Sequence, residues 1–159
     1  MSGRETPATK AATKAGIGFI VHEYRHDPKA ESYGSEAADR LGLDPAQVFK
    51  TLIADVDSRL VVAVVPVNCQ LDLKALAAAA GAKKAALADE KSAERSTGYV
   101  LGGISPLGQR KDLPTYIDES ARTLDTMFVS AGRRGLEIEL SPDDLARLTN
   151  AAMAAIARD

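Results

Sequence analysis

The chain has 159 residues, 45% of them hydrophobic and 26% charged, with a formal net charge of −2. A chain of this length buries roughly 70% of its unfolded surface, which is enough for one self-sufficient core, and the composition excludes fibrous and disordered classes. With 20 basic against 22 acidic residues, the global charge offers nucleic acid no attraction, although screening over about 8–10 Å lets a local patch act.

Met1-Ser2-Gly3-Arg4-Glu5-Thr6-Pro7 contains no apolar stretch of the secretory kind, and residues 1–5 read as a loose terminus before one domain over 6–159. Thr6-Pro7 predicts a cap and first helical position for a helix over Ala8 to Ala15, stopped by Gly16. Phe19 to Tyr24 reads as a strand and Asp27-Pro28 as a loop. Ser35 to Leu41 reads as a helix with Ser35 as its cap and Gly42 as its stop. Asp44-Pro45 starts one more helical turn. Val48 to Val56 and Leu60 to Val65 are strands joined through Asp57-Ser58-Arg59. Leu60 to Val67, the longest apolar run, has eight residues, well short of the about 20 that span a bilayer. Cys69 is the one cysteine, so no internal disulfide or cysteine-based metal cage can form. A reducing cytoplasm fits these features.

Asp72 to Ala80 and Asp89 to Glu94 read as helices, and Thr115 to Asp118, Thr126 to Ser130 and Leu136 to Leu140 as strands. Ser141-Pro142-Asp143-Asp144 is a strong helix start for a last helix predicted to run to about Ile156. Several strand gaps are too short for parallel crossovers. The expectation is a mixed α/β fold, with a largely antiparallel, curled or closed sheet flanked by short helices.

Lys50 stands out within Val48-Phe49-Lys50-Thr51-Leu52-Ile53-Ala54. Alternation puts it on the face of Val48, Leu52 and Ala54, where an ammonium is costly to bury unpaired. It either snorkels to solvent or points into a polar cleft. His22, Tyr24 and His26 share a face if their strand runs that far. Such a strip could line a cleft, and a metal is disfavoured because no third His or Cys completes the shell. Gly102-Gly103-Ile104-Ser105-Pro106 can present backbone N–H groups to an anion or oxyanion, or simply turn the chain. Ser130-Ala131-Gly132 reads as a strand end suited to ligand contact, or as a hairpin corner. Lys83-Lys84, Arg110-Lys111 and Arg133-Arg134 hold a phosphate backbone if they converge and are otherwise solvated turns. Cys69 could be a nucleophile but reads better as a small buried or half-buried thiol, since neither histidine is near it in sequence and no family signature surrounds it. No nucleophile elbow, Walker motif or dinucleotide fingerprint is present, which leaves no evident protein nucleophile and no cofactor site.

Asp39-Arg40-Leu41-Gly42 leading to Val48-Phe49-Lys50-Thr51-Leu52, Ser96-Thr97-Gly98-Tyr99-Val100-Leu101-Gly102-Gly103-Ile104-Ser105-Pro106-Leu107-Gly108, and Val129-Ser130-Ala131-Gly132-Arg133-Arg134-Gly135-Leu136 together resemble the YbaK/EbsC-type aminoacyl-tRNA deacylases, typified by the Cys-tRNA(Pro) deacylases. The resemblance runs from about Thr6 to the last helix. It implies a mixed α/β domain with a partly barrelled central sheet and peripheral helices. It also implies hydrolysis of a mischarged aminoacyl ester at the tRNA 3′ end, with the substrate's own thiol attacking in cysteine-specific members. The motifs present call for no cofactor or metal, and the net charge of −2 then makes a synthetase, the prolyl one (prolyl-tRNA synthetase), the expected partner that presents the tRNA. Lys50 and the Gly103 backbone take the catalytic positions. Tyr24, Thr51, Gly102, Ile104, Ser105, Pro106, Ser130 and Gly132 fall at substrate-contacting positions, and His26 joins them through the polar strip. The family often reads Ser-Gly-Gly where this chain has Ser130-Ala131-Gly132, which matters only if the middle residue needs positive φ. Relatives of the fold also edit alanine, and a non-catalytic tRNA- or synthetase-binding module would likewise lack a nucleophile.

Overall fold

Thr6 and Thr9 cap each other in α1 (Pro7–Ala15), the Thr6 hydroxyl accepting the Thr9 N–H and the Thr9 hydroxyl accepting the Thr6 N–H. The computed structural model to which this helix belongs describes residues 5–27 and 33–159. The terminus expected over 1–5 therefore lies, apart from Glu5, outside the described residues, as does Pro28.

The chain continues through β1 (Ile20–Glu23), α2 (Tyr33–Leu41), a 3-10 turn (Pro45–Gln47), β2 (Phe49–Val56), β3 (Arg59–Pro66), β4 (Gln70–Leu71), α3 (Leu73–Ala79), β5 (Ala85–Leu87) and α4 (Glu90–Thr97). It then forms β6 (Thr115–Asp118), a second 3-10 turn (Glu119–Thr123), β7 (Met127–Arg133), β8 (Leu136–Leu140), α5 (Pro142–Thr149), β9 (Ala152–Ala154) and β10 (Ala157–Arg158). Most helix ends carry the side chains that a short helix needs. Asp72, Asp89 and Ser141 each accept an N–H of the first turn, and α4 stops at the left-handed Gly98. Asp57 and Ser58, at φ of 48° and 70°, make the tight turn of the β2–β3 hairpin. That geometry matches the right-handed twist of the flanking strands.

Four expectations need correction. α2 begins at Tyr33, so Ser35 is inside the helix and does not cap it. α4 extends to Thr97, beyond the Glu94 expected. β7 runs on through Ser130, Ala131 and Gly132 to Arg133 with a bulge between Ser130 and Arg133, so the triplet is not a strand end. The last helix stops at Thr149, where Asn150 turns left-handed, and the alanine-rich tail beyond it forms β9 and β10. Pairing outweighs alanine's helix propensity there, because β9 adds to β6 and β10 to β4.

Two sheets carry the fold, in the orders β1-β8-β7 and β5-β2-β3-β6-β9. The β3–β6 and β6–β9 pairings are parallel, while β1–β8, β7–β8, β2–β3 and β2–β5 are antiparallel. β5 covers one end of the β2 edge, and a single parallel bridge from Val48 to Phe128 joins the other end to β7. The result is a mixed α/β fold with a curled, open sheet, since no pairing among the described residues returns β9 to β1 to close a barrel. The main core lies inside the curl, with Phe49, Ile53, Val62, Val64, Ile104, Val129, Leu136 and Ile138 packed against α1 and α5. Two smaller clusters lie outside it, one under α3 around Ala54, Val65 and Leu76, the other under α2 around Val48, Val67 and Phe128.

Candidate active site

β2 sends Phe49 and Ile53 into the main core, Val48 toward α2, and Ala54 toward α3. Lys50 therefore stands on the outer face where the two smaller clusters part. It is half-buried. Burial holds its ammonium below the ordinary lysine value, with the nearby Cys69 thiol acting in the other direction. No carboxylate among the described residues pairs with it.

The isolated Val48–Phe128 bridge brings the start of β2 against β7, and Lys50 and Ser130 each lie two residues beyond it. Across β7–β8, Ser130 faces Glu137, and Glu137 faces His22 on β1. At about 4.8 Å per strand, Lys50 and Glu137 are roughly 10 Å apart along one sheet face. Glu137 is 7% exposed and has no hydrogen-bond or ion-pair partner among the described residues. Burial pushes its carboxyl up to about 8. A carboxyl of that kind is neutral at pH 7 and offers an O–H donor. Sequence reading missed it. In Leu136-Glu137-Ile138-Glu139-Leu140 the alternation predicts an outward residue, and only the cover over that face makes it a buried one.

Tyr24 follows β1 and is anchored by its N–H on the Gly135 carbonyl at 2.9 Å. Its hydroxyl is pushed up to about 12, chiefly by burial and next by Glu137, so it acts as a neutral phenol. His26 lies on the same side, its Nδ1 2.8 Å from Glu36 Oε1. His22 does not join it, because β1 ends at Glu23 and His22 Nε2 is 2.8 Å from Glu139 Oε1. The polar strip is thus divided between two carboxylates. Thr51 points to the opposite face from Lys50, and its Oγ1 is buried without a hydrogen-bond partner among the described residues.

The glycine-rich loop differs from expectation in a specific way. The Gly103 N–H is spent on the Val100 carbonyl at 2.9 Å, so it does not face a ligand. The residue is glycine because a Cβ there would stand 2.7 Å from the Arg133 Cα, on the β7 bulge. Ile104, Ser105 and Pro106 are buried. The Ser105 hydroxyl accepts the Leu107 N–H at 3.2 Å and its carbonyl accepts Gln109, so these side chains build the loop and do not line a surface. The N–H groups of Gly102, Ile104 and Ser105 have no acceptor among the described residues, which leaves main-chain donors in the loop after all. Gly132, at φ 109°, has the same close-packing role, since a Cβ there would meet Tyr99 at 2.9 Å and Thr6 at 3.1 Å. Ser130 Oγ accepts the Gly132 N–H at 3.1 Å. Ala131 is buried and has no positive φ, so its methyl group strains nothing.

Burial, first among several causes, raises the Cys69 thiol, which makes it a poor nucleophile at neutral pH. Two large depressions lie elsewhere. One of about 600 Å³ lies between residues 106–116 and the end of α5, and one of about 790 Å³ lies between the β2–β3 turn and β5. Lys50, Tyr24, Ser130 and Gly103 line neither. The Lys50 cluster combines a cation, a neutral carboxyl and a phenol, and the loop with main-chain donors meets β7 at Arg133, three residues from Ser130. It can bind and polarise an ester, but it holds no paired nucleophile and base among the described residues.

The described residues contain no helix long and apolar enough to cross a membrane. The model of the aminoacyl-tRNA editing domain matches residues 27–148. A relative in Enterococcus faecalis, named as the Cys-tRNA(Pro)/Cys-tRNA(Cys) deacylase EbsC, is 46% identical over 121 residues, covering 75% of this chain and 73% of its own length. A proline–tRNA ligase of Shouchella clausii is 34% identical over 114 residues, 71% of this chain but only 20% of that one. A solved structure described as a trans-editing enzyme for prolyl tRNA synthetase superposes with a TM-score of 0.87 over 100% of this chain and 99% of that one, and at 23% identity it speaks for the fold. With the domain matched over most of its length and these relatives beside it, the chain belongs to the aminoacyl-tRNA editing family, in its YbaK/EbsC branch.

Proposed function

We propose that this aminoacyl-tRNA deacylase removes cysteine from mischarged tRNA(Pro), with residues 6–159 as the working unit. The carrying observation is Lys50, a half-buried ammonium without a carboxylate partner among the described residues, on the same face as Ser130 and Glu137. In this reading the ammonium holds the terminal ribose or the ester oxygen. The substrate's cysteine thiol gives up its proton, and its sulfur bonds to the ester carbonyl carbon. The bond from that carbon to the ribose oxygen breaks, and the ribose oxygen takes the proton. Water then opens the released thiolactone.

The barrier to be lowered is modest, because an aminoacyl ester hydrolyses unaided. Orientation alone reaches effective molarities of about 10⁵ M or more, and main-chain donors add about 3 kcal/mol at a developing oxyanion. A second hydrolytic check is useful where a synthetase pocket discriminates by only about 1–3 kcal/mol per methylene. The net charge of −2 gives the chain little attraction of its own for RNA, and one relative is a proline–tRNA ligase. We therefore place the protein beside prolyl-tRNA synthetase, acting in trans.

The test is a panel of Cys-, Ser- and Ala-tRNA(Pro), assayed for ester loss with and without that synthetase. The expected result is rapid loss of cysteine alone. Equal rates on cysteine and serine would sink the thiol step, and preference for alanine would reassign the substrate within the same fold. Binding without ester loss would make the chain a recognition module.

A further inference from the structure

Two of the three basic turns meet at the end of α4. Arg110 and Lys111 donate their backbone N–H groups to the Thr97 and Ser96 carbonyls, each at 3.0 Å. The Arg110 guanidinium lies over the last turn, with Nη1 3.5 Å from the Arg95 carbonyl and Nε 3.6 Å from where a Gly98 Cβ would be. On the far side of the following turn, Arg134 donates through Nε and Nη2 to the Leu101 carbonyl at 3.2 and 2.8 Å. Between them Val100 and Leu101 are 60% and 43% exposed. Glu94 accepts the Leu101 N–H at 2.9 Å and is the carboxylate tied to this turn. No carboxylate among the described residues forms an ion pair with Arg95, Arg110 or Lys111. The third basic turn is different, because the backbone of Lys83 and Lys84 grips the Asp57 carboxylate at 3.0 Å each.

A cation at a helix C-terminus is expected for the helix alone, and that accounts for one arginine. It does not account for four basic residues gathered about the end of α4 and the exposed turn after it, on a chain whose net charge is negative. Cations flanking exposed apolar surface suit a nucleic-acid strand, with phosphates on the charges and sugar and base faces on the apolar groups. The tip also leads somewhere useful. It runs directly into Gly102-Gly103, and Gly103 abuts Arg133, three residues along β7 from Ser130. We propose that Arg95, Arg110, Lys111 and Arg134, with Val100 and Leu101 between them, grip the phosphates of a single-stranded RNA 3′ end and lead it toward Lys50. This deepens the deacylase reading above and rests on it for the identity of the RNA.

The experiment measures binding of a fluorescent RNA hairpin with an unpaired, uncharged 3′ end, by anisotropy across a salt series. For Arg95→Ala/Arg110→Ala/Lys111→Ala the dissociation constant should rise about tenfold or more, and the slope of log affinity against log salt should flatten by about two. Arg95→Lys/Arg110→Lys should keep most of the affinity, and an unshifted melting temperature certifies the fold. Lys74→Ala/Lys83→Ala/Lys84→Ala removes the same charge elsewhere and should change little. Equal loss in both triple variants, or no loss in the first, overturns the proposal. So does unchanged RNA affinity with lost capture of prolyl-tRNA synthetase, which would make the patch a protein surface. No ester is present in this measurement. A chain that binds RNA here yet deacylates nothing therefore sinks the hydrolase reading alone.

Discussion

Asp118 and Glu137 are both strand carboxylic acids and are 6% and 7% exposed, yet their surroundings are opposite. Asp118 Oδ1 accepts the N–H groups of Ile156 and Ala157 at 3.0 and 2.9 Å, and Oδ2 accepts that of Ser120 at 3.2 Å. It fastens the C-terminal tail to β6. Glu137 has no such partner among the described residues. A buried acid that is fully hydrogen-bonded is part of the scaffold, whereas one left without partners costs stability that packing alone does not return. Lys50 lies on the same sheet face, half-buried and without a carboxylate partner among the described residues. The two titratable groups stand about 10 Å apart, where a small polar ligand would reach both.

That contrast can be broken by substitution. The largest effect is expected at Asp118→Ala, which strands three backbone donors and should cost about 4 kcal/mol in denaturant unfolding. Activity per folded molecule should hold, and a selective loss of activity would put Asp118 in the site. Lys50→Ala should behave in reverse, lowering deacylation about 10²–10³-fold with an unchanged melting temperature. Full activity would remove Lys50 from the chemistry.

Glu137→Gln tests the pH dependence. The folded carboxyl titrates near 8, against an ordinary value of 4.5, so the folded state binds the proton that the unfolded state has released. The stability this contributes is fully present below about 4.5 and is lost as pH rises toward 8, at about 1.4 kcal/mol per unit. The glutamine variant should flatten that decline in unfolding curves taken between those limits. An equally steep decline would mean that Glu137 is ionised in the folded protein. The smallest effect is expected at Thr51→Val, which replaces a buried hydroxyl without a partner among the described residues. Stability should stay within about 1 kcal/mol or rise. A fall in deacylation would show that this hydroxyl reaches substrate after all.

Local signals were legible where a short stretch of chain suffices to satisfy its own backbone. Thr6-Pro7 with Gly16, Asp44-Pro45, Asp57-Ser58 and Ser141-Pro142 all mark real boundaries. Lys50 was legible as an outlier, a charge on an apolar strand face, and its role in catalysis is proposed on that footing. The tail after Thr149 was not, since a run of alanines carries helix propensity whatever edge awaits it. Gly103 was read as an open donor, because a glycine needed for a free N–H and one needed for close packing look identical in sequence.

Composition, caps and alternation by themselves determined the class of fold and most element boundaries, and contiguous motif residues carried the family resemblance, since each of these is written in residues adjacent along the chain. The three-dimensional arrangement alone decided that Glu137 is buried and that Arg110 and Arg134 flank one turn. Burial and charge proximity depend on which distant segments cover a face. Strand periodicity specifies a side but leaves open what lies above it.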